Sequence, residues 1–462
     1  MPDRRLLPRI FNPLTFVRHG EARPPASPPT PTPPRPRPRM WRSIVMFLSV
    51  VGPGIITANA DNDVGGITTY SLAGAQFGYG QLWILLPVTV ALIVVQEMCA
   101  RMGAVTGKGL ADLIRENFGA RVTFWVLLVF VLGDLGNTAT EFAGVASAAP
   151  IFQTYVPLLS KFVLVPLSAI FVFTLVVRGN YRSVEKVFLV FCLLYLSYVI
   201  SGLLVHPPWH EVLIQTVVPH FTASKAYALM AIGVIGTTIS PWMQFYIQSA
   251  IVEKGVKAQD YRYSRIDVIS GAIFTDVIAF FIIVASAATI FVHNQHAPAG
   301  QVIAINDAGD VASALAPLAG KFASLLFALG LLNAAIFTAS ILPLSTAYYV
   351  CEAFGFESGV QKRLSEAPFF YGFYLALIVV GAGVVILPGA PLLAIIFYSQ
   401  VLNGALLPVV LILMLLLINN RRLMGKYVNN FAFNAIAWAT VVIVGLLTLV
   451  STAQLIFPSL GS

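Results

Sequence analysis

Charge is what this 462-residue chain lacks most. Asp, Glu, Lys and Arg make up 10% of it, against about 25% in an average soluble domain. That scarcity excludes an ordinary water-facing surface. Histidine is also sparse. His19, His206, His210, His220, His293 and His296 all fall in the N-terminal tail or between apolar runs. The His206–His210 and His293–His296 clusters lack the acid or cysteine partners of a firm metal site and read as solvated loops. The three cysteines, Cys99, Cys192 and Cys351, have no metal-ligand spacing and form no disulfide framework; they read as buried small side chains. There is no HExxH, no GxSxG and no Walker A motif, so the chain reads as no enzyme and no user of nucleotides.

What is present is apolar. Hydrophobic residues make up 58% of the chain and the mean hydropathy is +0.82. Apolar runs of bilayer length cover roughly 43–72, 81–106, 121–148, 161–177, 183–205, 227–251, 264–293, 318–351, 368–387, 391–419 and 430–454. The expectation is an all-α membrane protein of about eleven transmembrane helices. An odd count puts the termini on opposite sides. With the N-terminus inside, 25 of the 28 Lys and Arg fall in inside segments, leaving only Lys161, Lys225 and Lys321 outside. That asymmetry obeys the positive-inside rule and accounts for the net charge of +8 without nucleic acid. The simplest location is a bacterial inner membrane, N-terminus cytoplasmic, residues 455–462 outside.

Residues 1–42 are proline-rich and basic, with Arg35, Arg37 and Arg39 alternating with prolines. They cannot bury a core and read as a disordered or extended cytoplasmic tail. The tail either sets topology or touches anionic headgroups.

Two of the apolar runs are broken at mid-length. The first contains Asn59-Ala60-Asp61-Asn62-Asp63-Val64-Gly65-Gly66 and the second Gly236-Thr237-Thr238-Ile239-Ser240-Pro241-Trp242. A helix in lipid must close its own backbone hydrogen bonds, so such breaks are tolerated only in protein or around a polar cavity. A matched pair of interrupted spans is a pointer to a transporter's binding site. The breaks fall in spans one and six, which enter from opposite sides. That is the arithmetic of two inverted five-helix repeats, about 43–205 and 227–419, plus an extra helix at about 430–454.

These motifs resemble the Nramp metal-ion transporters, whose fold is of the LeuT type. Gly52-Pro53 with Asp63-Val64-Gly65-Gly66 resembles the family's first helix, where Asp-Pro-Gly-Asn is usual. Gly236 to Trp242 resembles the sixth, Glu141-Phe142-Ala143-Gly144 the third, and Tyr398-Ser399-Gln400-Val401 the tenth. The resemblance implies that Asp63 is the metal-binding aspartate. Gly66 stands for the family's asparagine, Ser240 for its methionine, Trp242 for its histidine and Thr138 for its third-helix aspartate. These departures resemble the Nramp-related magnesium transporters.

Removing the thioether leaves oxygen donors, a set suited to Mg²⁺, Mn²⁺ or Ca²⁺. Gly66 in place of an amide leaves volume for a partly hydrated ion, which Mg²⁺ prefers. The expected metal site is Asp63, Gly66, the Thr237 carbonyl, the Ser240 hydroxyl and Gln400. Asn59, Asp61, Asn62 and Trp242 are placed around it. Asp61 is either a second carboxylate on the ion or part of an access vestibule, and Trp242 either walls the cavity or packs against a neighbouring helix. Asp134, Thr138, Glu141 and Asp276 form either a candidate proton relay or, with Thr138 at the family's coupling position, a set of structural hydrogen-bonding acids. Glu97 and Arg101 have the spacing of an ion pair. Leu110 to Asn117 is amphipathic and expected to dock at the membrane interface.

The expected function is a secondary importer of divalent cations, Mg²⁺ or Mn²⁺, by alternating access. The alternative is a transporter of an amino acid or organic cation on the same fold. Asp61 and Asp63 would repel a substrate carboxylate, which favours a cation. No resident cofactor is expected, because the divalent ion is cargo. The partners are that ion and the lipid bilayer, with the chain acting as a monomer.

Overall fold

The computed structural model describes residues 52–456, apart from 155, 180, 223, 299–301, 304, 306–308, 313–320 and 391. The basic tail of residues 1–42, the start of the first apolar run and the last six residues lie outside the described residues.

Every regular element among the described residues is helical. In chain order they are α1 (Pro53–Asn59), α2 (Val64–Phe77), α3 (Leu82–Thr106), α4 (Leu110–Phe118), α5 (Ala120–Gln153), α6 (Lys161–Arg178), α7 (Tyr181–Leu194), α8 (Leu196–Leu204) and α9 (Trp209–Val217). The second half follows with α10 (Lys225–Thr238), α11 (Pro241–Glu253), α12 (Tyr261–Ser286), a π-helical turn (Ala287–Phe291) and α13 (Val292–His296). It ends with α14 (Lys321–Phe354), α15 (Pro368–Ile386), α16 (Leu392–Ile418), α17 (Arg421–Met424), a 3₁₀ turn (Gly425–Tyr427) and α18 (Phe431–Ile456).

Nine of these helices or helix pairs are long and apolar enough to cross a membrane, or ten with the bent pair Leu402–Ile418 and Arg421–Tyr427. The broken first span falls outside that count because its halves have only 7 and 14 residues. The expected eleven is therefore not reached on length and apolarity alone. Large apolar side chains such as Trp125, Leu132, Ile170, Leu193 and Leu449 are exposed, whereas Asp63, Glu141, Gln400 and Asn403 are buried. This inside-out distribution suits lipid as the solvent. The protein is an integral membrane protein.

The two broken spans sit at the centre. Helices α1 and α2 pack on α12, α2 also touches α5, α10 and α16, and α11 packs on α3 and α14. Glycine makes the closest of these crossings possible. A Cβ on Gly54 would stand 2.6 Å from the Val268 backbone nitrogen, and one on Gly271 would stand 2.8 Å from the Gly54 oxygen. Helices α1 and α12 thus meet backbone to backbone.

The amphipathic segment forms helix α4, but its apolar face is not left for lipid. Leu110, Ala111, Leu113 and Ile114 are fully buried, and α4 packs on α5, α11, α14 and α16. Arg115 donates to the Ala353 carbonyl at 2.7 Å. Amphipathicity reported a buried face correctly; the covering surface is protein rather than the bilayer. Glu97 and Arg101 pair at 3.1 Å as their spacing predicts. All three cysteines are free and buried.

Candidate metal-ion site at the paired helix breaks

The first break is built by capping. Helix α1 ends at Asn59, and α2 restarts with Asp63 as its N-cap, whose Oδ1 accepts from the Gly66 N–H at 2.5 Å. Three residues form the bend between, and side chains from other helices hold it. Asn62 Nδ2 donates to Thr275 Oγ1 at 2.9 Å and to the Thr275 carbonyl at 3.1 Å. The Tyr195 hydroxyl donates to the Asn62 carbonyl at 3.0 Å. Thr275 Oγ1 donates to the Ala58 carbonyl, and Thr338 Oγ1 to the Ala60 carbonyl at 3.3 Å. The carbonyls left open by the break are thereby partly satisfied from α8's neighbour Tyr195, from α12 and from α14.

The second break comes from one residue. Pro241 has no N–H, so the Thr237 carbonyl loses its partner four residues on. Ser240 Oγ donates to that carbonyl instead, at 3.1 Å. Two of the expected ligands, the Thr237 carbonyl and the Ser240 hydroxyl, are therefore bonded to each other. The two breaks touch through Tyr70, whose hydroxyl lies 2.7 Å from Thr238 Oγ1.

Gly66 lies where the breaks converge. A Cβ there would stand 2.7 Å from the Asp61 carbonyl oxygen, 3.3 Å from Asp63 Oδ1 and 3.3 Å from Thr237 Oγ1. The expected empty volume beside Gly66 is therefore a tight, oxygen-lined point, with no room for a side chain. Gln400 approaches from α16. A Cβ on neighbouring Gly65 would stand 1.8 Å from Gln400 Nε2, so this amide lies directly over the glycine.

The polar atoms left without partners here are mostly acceptors. They include both carboxylate oxygens of Asp61, the side-chain carbonyls of Asn59 and Asn62, Thr237 Oγ1 and one oxygen of Glu141. Asp276 on α12 also has no hydrogen bond to either oxygen, with Thr89 as its polar neighbour. Asn59, Asp61, Asn62, Asp63, Thr237, Ser240, Trp242 and Gln400 are all 2% exposed or less. Buried acceptors without donors are costly unless a cation or protons neutralise them. No group of three or more His, Cys, Asp or Glu side chains with metal-holding geometry occurs among the described residues. Backbone and neutral oxygens would have to complete any cage.

The relay candidates separate into different roles. Glu141 accepts from the Val64 N–H at 3.4 Å and so sits on the start of α2. Gly144 in the same motif leaves room for Val64, whose side chain would meet a Cβ at 2.1 Å. Asp134 is instead tied to α14, accepting from Thr346 Oγ1 at 2.8 Å and the Tyr349 hydroxyl at 2.9 Å. Thr138 Oγ1 donates to the Asp134 carbonyl at 2.7 Å. Trp242 is buried with its indole N–H unpartnered, and its carbonyl accepts from Ser345.

Several structural supports were not singled out from the sequence. Asp267 on α12 accepts from the N–H groups of Gly52, Gly54 and Ile55 at 3.1, 2.7 and 3.3 Å, capping α1 from another helix. Asn137 and Asn403 form a reciprocal amide pair. Asn403 stands three residues after Gln400, one helical turn, which is the only sequence signal for it.

The Nramp family model, described as natural resistance-associated macrophage protein-like, matches residues 54–454. The chain belongs to the Nramp family. A relative from Burkholderia ambifaria named Divalent metal cation transporter MntH is 27% identical over 412 residues, 87% of this chain and 88% of the relative. The Eremococcus coleocola manganese transporter, in complex with an aromatic bis-isothiourea substituted compound, superposes with a TM-score of 0.70 at 22% identity, covering 92% of this chain and 90% of that one. MHP1, a nucleobase-cation-symport-1 family transporter in a closed conformation, superposes with a TM-score of 0.57 at 14% identity, covering 89% and 92%. The two structural likenesses establish the fold, which is of the LeuT type with broken first and sixth spans, as the sequence motifs imply.

Proposed function

We propose that this Nramp-family protein carries divalent metal cations across the membrane, with the ion held at the paired breaks. The observation that carries this reading is the convergence at Gly66 of the Asp61 carbonyl, Asp63 Oδ1 and Thr237 Oγ1, beside buried acceptors that lack donors. A point surrounded by oxygens attracts a cation and repels a carboxylate. That argues against an amino acid as cargo. The name of the Burkholderia relative and the manganese title of the Eremococcus structure support the same class.

The donors at this point are oxygens, which suit Mg²⁺ and Mn²⁺ above softer ions. Asp63 supplies the charge, Thr237 and Ser240 supply neutral oxygens, and Asn59, Asp61, Asn62 and Trp242 surround them. The tightness beside Gly66 favours an ion that has shed part of its water. The site is sealed, so transport requires the halves about 43–205 and 227–419 to move in turn about it, exposing it first to one side and then to the other. A cleft of about 380 Å³, lined by Tyr79, Glu211, Gln215, His220, Tyr227 and Gln295, lies at the C-terminal end of α2 and is the approach from that side. Glu141, at the start of α2 and near Asp63, is the candidate to exchange a proton with the ion.

Calorimetric titration of the purified protein tests the assignment. Mn²⁺ and Mg²⁺ are expected to bind the native protein, and Asp63→Ala to weaken both at least tenfold. Ser240→Met adds a thioether and is expected to raise affinity for Cd²⁺ relative to Mg²⁺. Binding unaffected by Asp63→Ala would place the ion elsewhere.

A further inference from the structure

Gln400 does not offer its carbonyl oxygen to the break. Its Oε1 accepts from Asn403 Nδ2 at 3.2 Å, while its Nε2 lies over Gly65 without a partner. The reason can be traced outward through α5. Asn403 Nδ2 also donates to Asn137 Oδ1 at 3.2 Å, and Asn137 Nδ2 donates back to Asn403 Oδ1 at 2.9 Å. The other hydrogen of Asn137 Nδ2 points to Asp134 Oδ1 at 3.4 Å. The far oxygen of Asp134 is taken by the hydroxyls of Thr346 and Tyr349.

We infer that Asn137 and Asn403 form a carboxamide ladder that sets which edge of Gln400 faces the transported ion. The inference rests on the reading that the ion sits at the breaks. The hydrogens count through without remainder. Each amide nitrogen carries two. Asn137 spends one on Asp134 and one on Asn403. Asn403 spends one on Asn137 and one on Gln400. The Gln400 N–H₂ is what is left, and it points at the break. Turning over Gln400 alone would set two donors face to face at Asn403. Turning over all three amides keeps every contact between them, but it sets the Asn137 oxygen against Asp134 and brings Gln400 Oε1 over Gly65. The ladder thus has two self-consistent orders. A group that accepts at one end dictates whether the ion meets a donor or an acceptor at the other. All members are buried to within 3% exposure, so water does not scramble the order. Asn137 and Asn403 are positioning residues, acting on the ion only through Gln400.

The test is to reverse the order from the middle. Asn403→Asp leaves only acceptors at that position, which draws the Gln400 N–H₂ inward and turns Oε1 to the break. Mn²⁺ binding by calorimetry is expected to tighten about tenfold. The added negative charge would attract Mn²⁺ by itself, so the same change is made on Gln400→Leu. There the tightening is expected to fall below threefold. Equal tightening in the two backgrounds overturns the ladder. A second arm needs no ion. Melting of the ion-free protein is followed for Asn137→Leu, Asn403→Leu and the pair. The ladder predicts that the pair melts no lower than the worse single variant, and a fully additive loss overturns it. Should the native protein bind no divalent ion, the functional reading fails while the melting cycle still decides the ladder.

Discussion

At the scale of single residues, the site is a matter of where side chains cannot be. Gly65 is the clearest case, because any Cβ would run into the Gln400 amide at 1.8 Å. Gly65→Ala is expected to displace Gln400 and so reduce the effect of Asn403→Asp on Mn²⁺ binding below threefold, measured by titration, while the protein still folds in detergent. A full tenfold effect of Asn403→Asp in the Gly65→Ala background would remove Gln400 from the site. Part of this scale was legible beforehand. Asp63 and Pro241 are anomalous in apolar runs and so marked the breaks, but the N-cap that Asp63 forms and the Thr237 carbonyl that Pro241 frees are findings of the structure. Gln400 came from a resembling motif. Its orientation did not, because Asn137 and Asn403 lie 266 residues apart and nothing local in either helix announces the pair. The space beside Gly66 was not legible for the same reason. Its missing side chain implied space, whereas Asp61 and Thr237, from two different breaks, fill the surroundings.

Helices meet at contacts that the sequence marks only by small residues and by acids. Helix α1 has seven residues and cannot hold itself together in isolation. Its N-terminal N–H groups are satisfied by Asp267, a carboxylate from α12, and Gly54 and Gly271 allow the two backbones to touch. Asp267→Ala is expected to destabilise the protein by about 2 kcal/mol, the size of a lost charge-assisted cap, read from its unfolding midpoint. Gly271→Ala should lower stability by roughly 1–3 kcal/mol through overpacking. No change in either variant would mean that α1 is held by other contacts. Pro241→Ala restores an N–H opposite the Thr237 carbonyl. Transport is expected to slow in that variant with little loss of stability, since a closed helix no longer presents the carbonyl. The breaks themselves were plain in the sequence, because Gly, Asp, Asn and Pro interrupt otherwise continuous apolar runs. The docking partner of α4 was not, because amphipathicity tells how much of a helix is covered and not by what.

Across the whole molecule, polar contacts close the broken first span at both ends. At one end Lys254 and Glu185 pair at 2.5 Å beside Gly52, and Glu253 takes up the Tyr348 hydroxyl and the Gln361 N–H. At the other, the Tyr227 hydroxyl lies between the carbonyls of Gly80 and His220 and accepts from Trp83 Nε1. Glu185→Gln weakens the first closure. It is expected to speed reaction of a cysteine placed near α1 with a membrane-impermeant thiol reagent, from that face only. Charge asymmetry and hydropathy made the membrane class legible without any motif, because both are summed over the whole chain and tolerate local error. Span number is less legible, since the broken first span divides its apolar length between two short helices. The central claim is that a divalent ion passes through the oxygen-lined point at Gly66 with Asp63 as its charge. Uptake of Mn²⁺ and Mg²⁺ into proteoliposomes, for the native protein and Asp63→Ala, measures it most directly. Entry of at least one ion with the native protein, and loss of at least nine-tenths of that rate in the variant, is the expected result. Uptake that survives in Asp63→Ala, or none in a preparation that binds the ion, would contradict it.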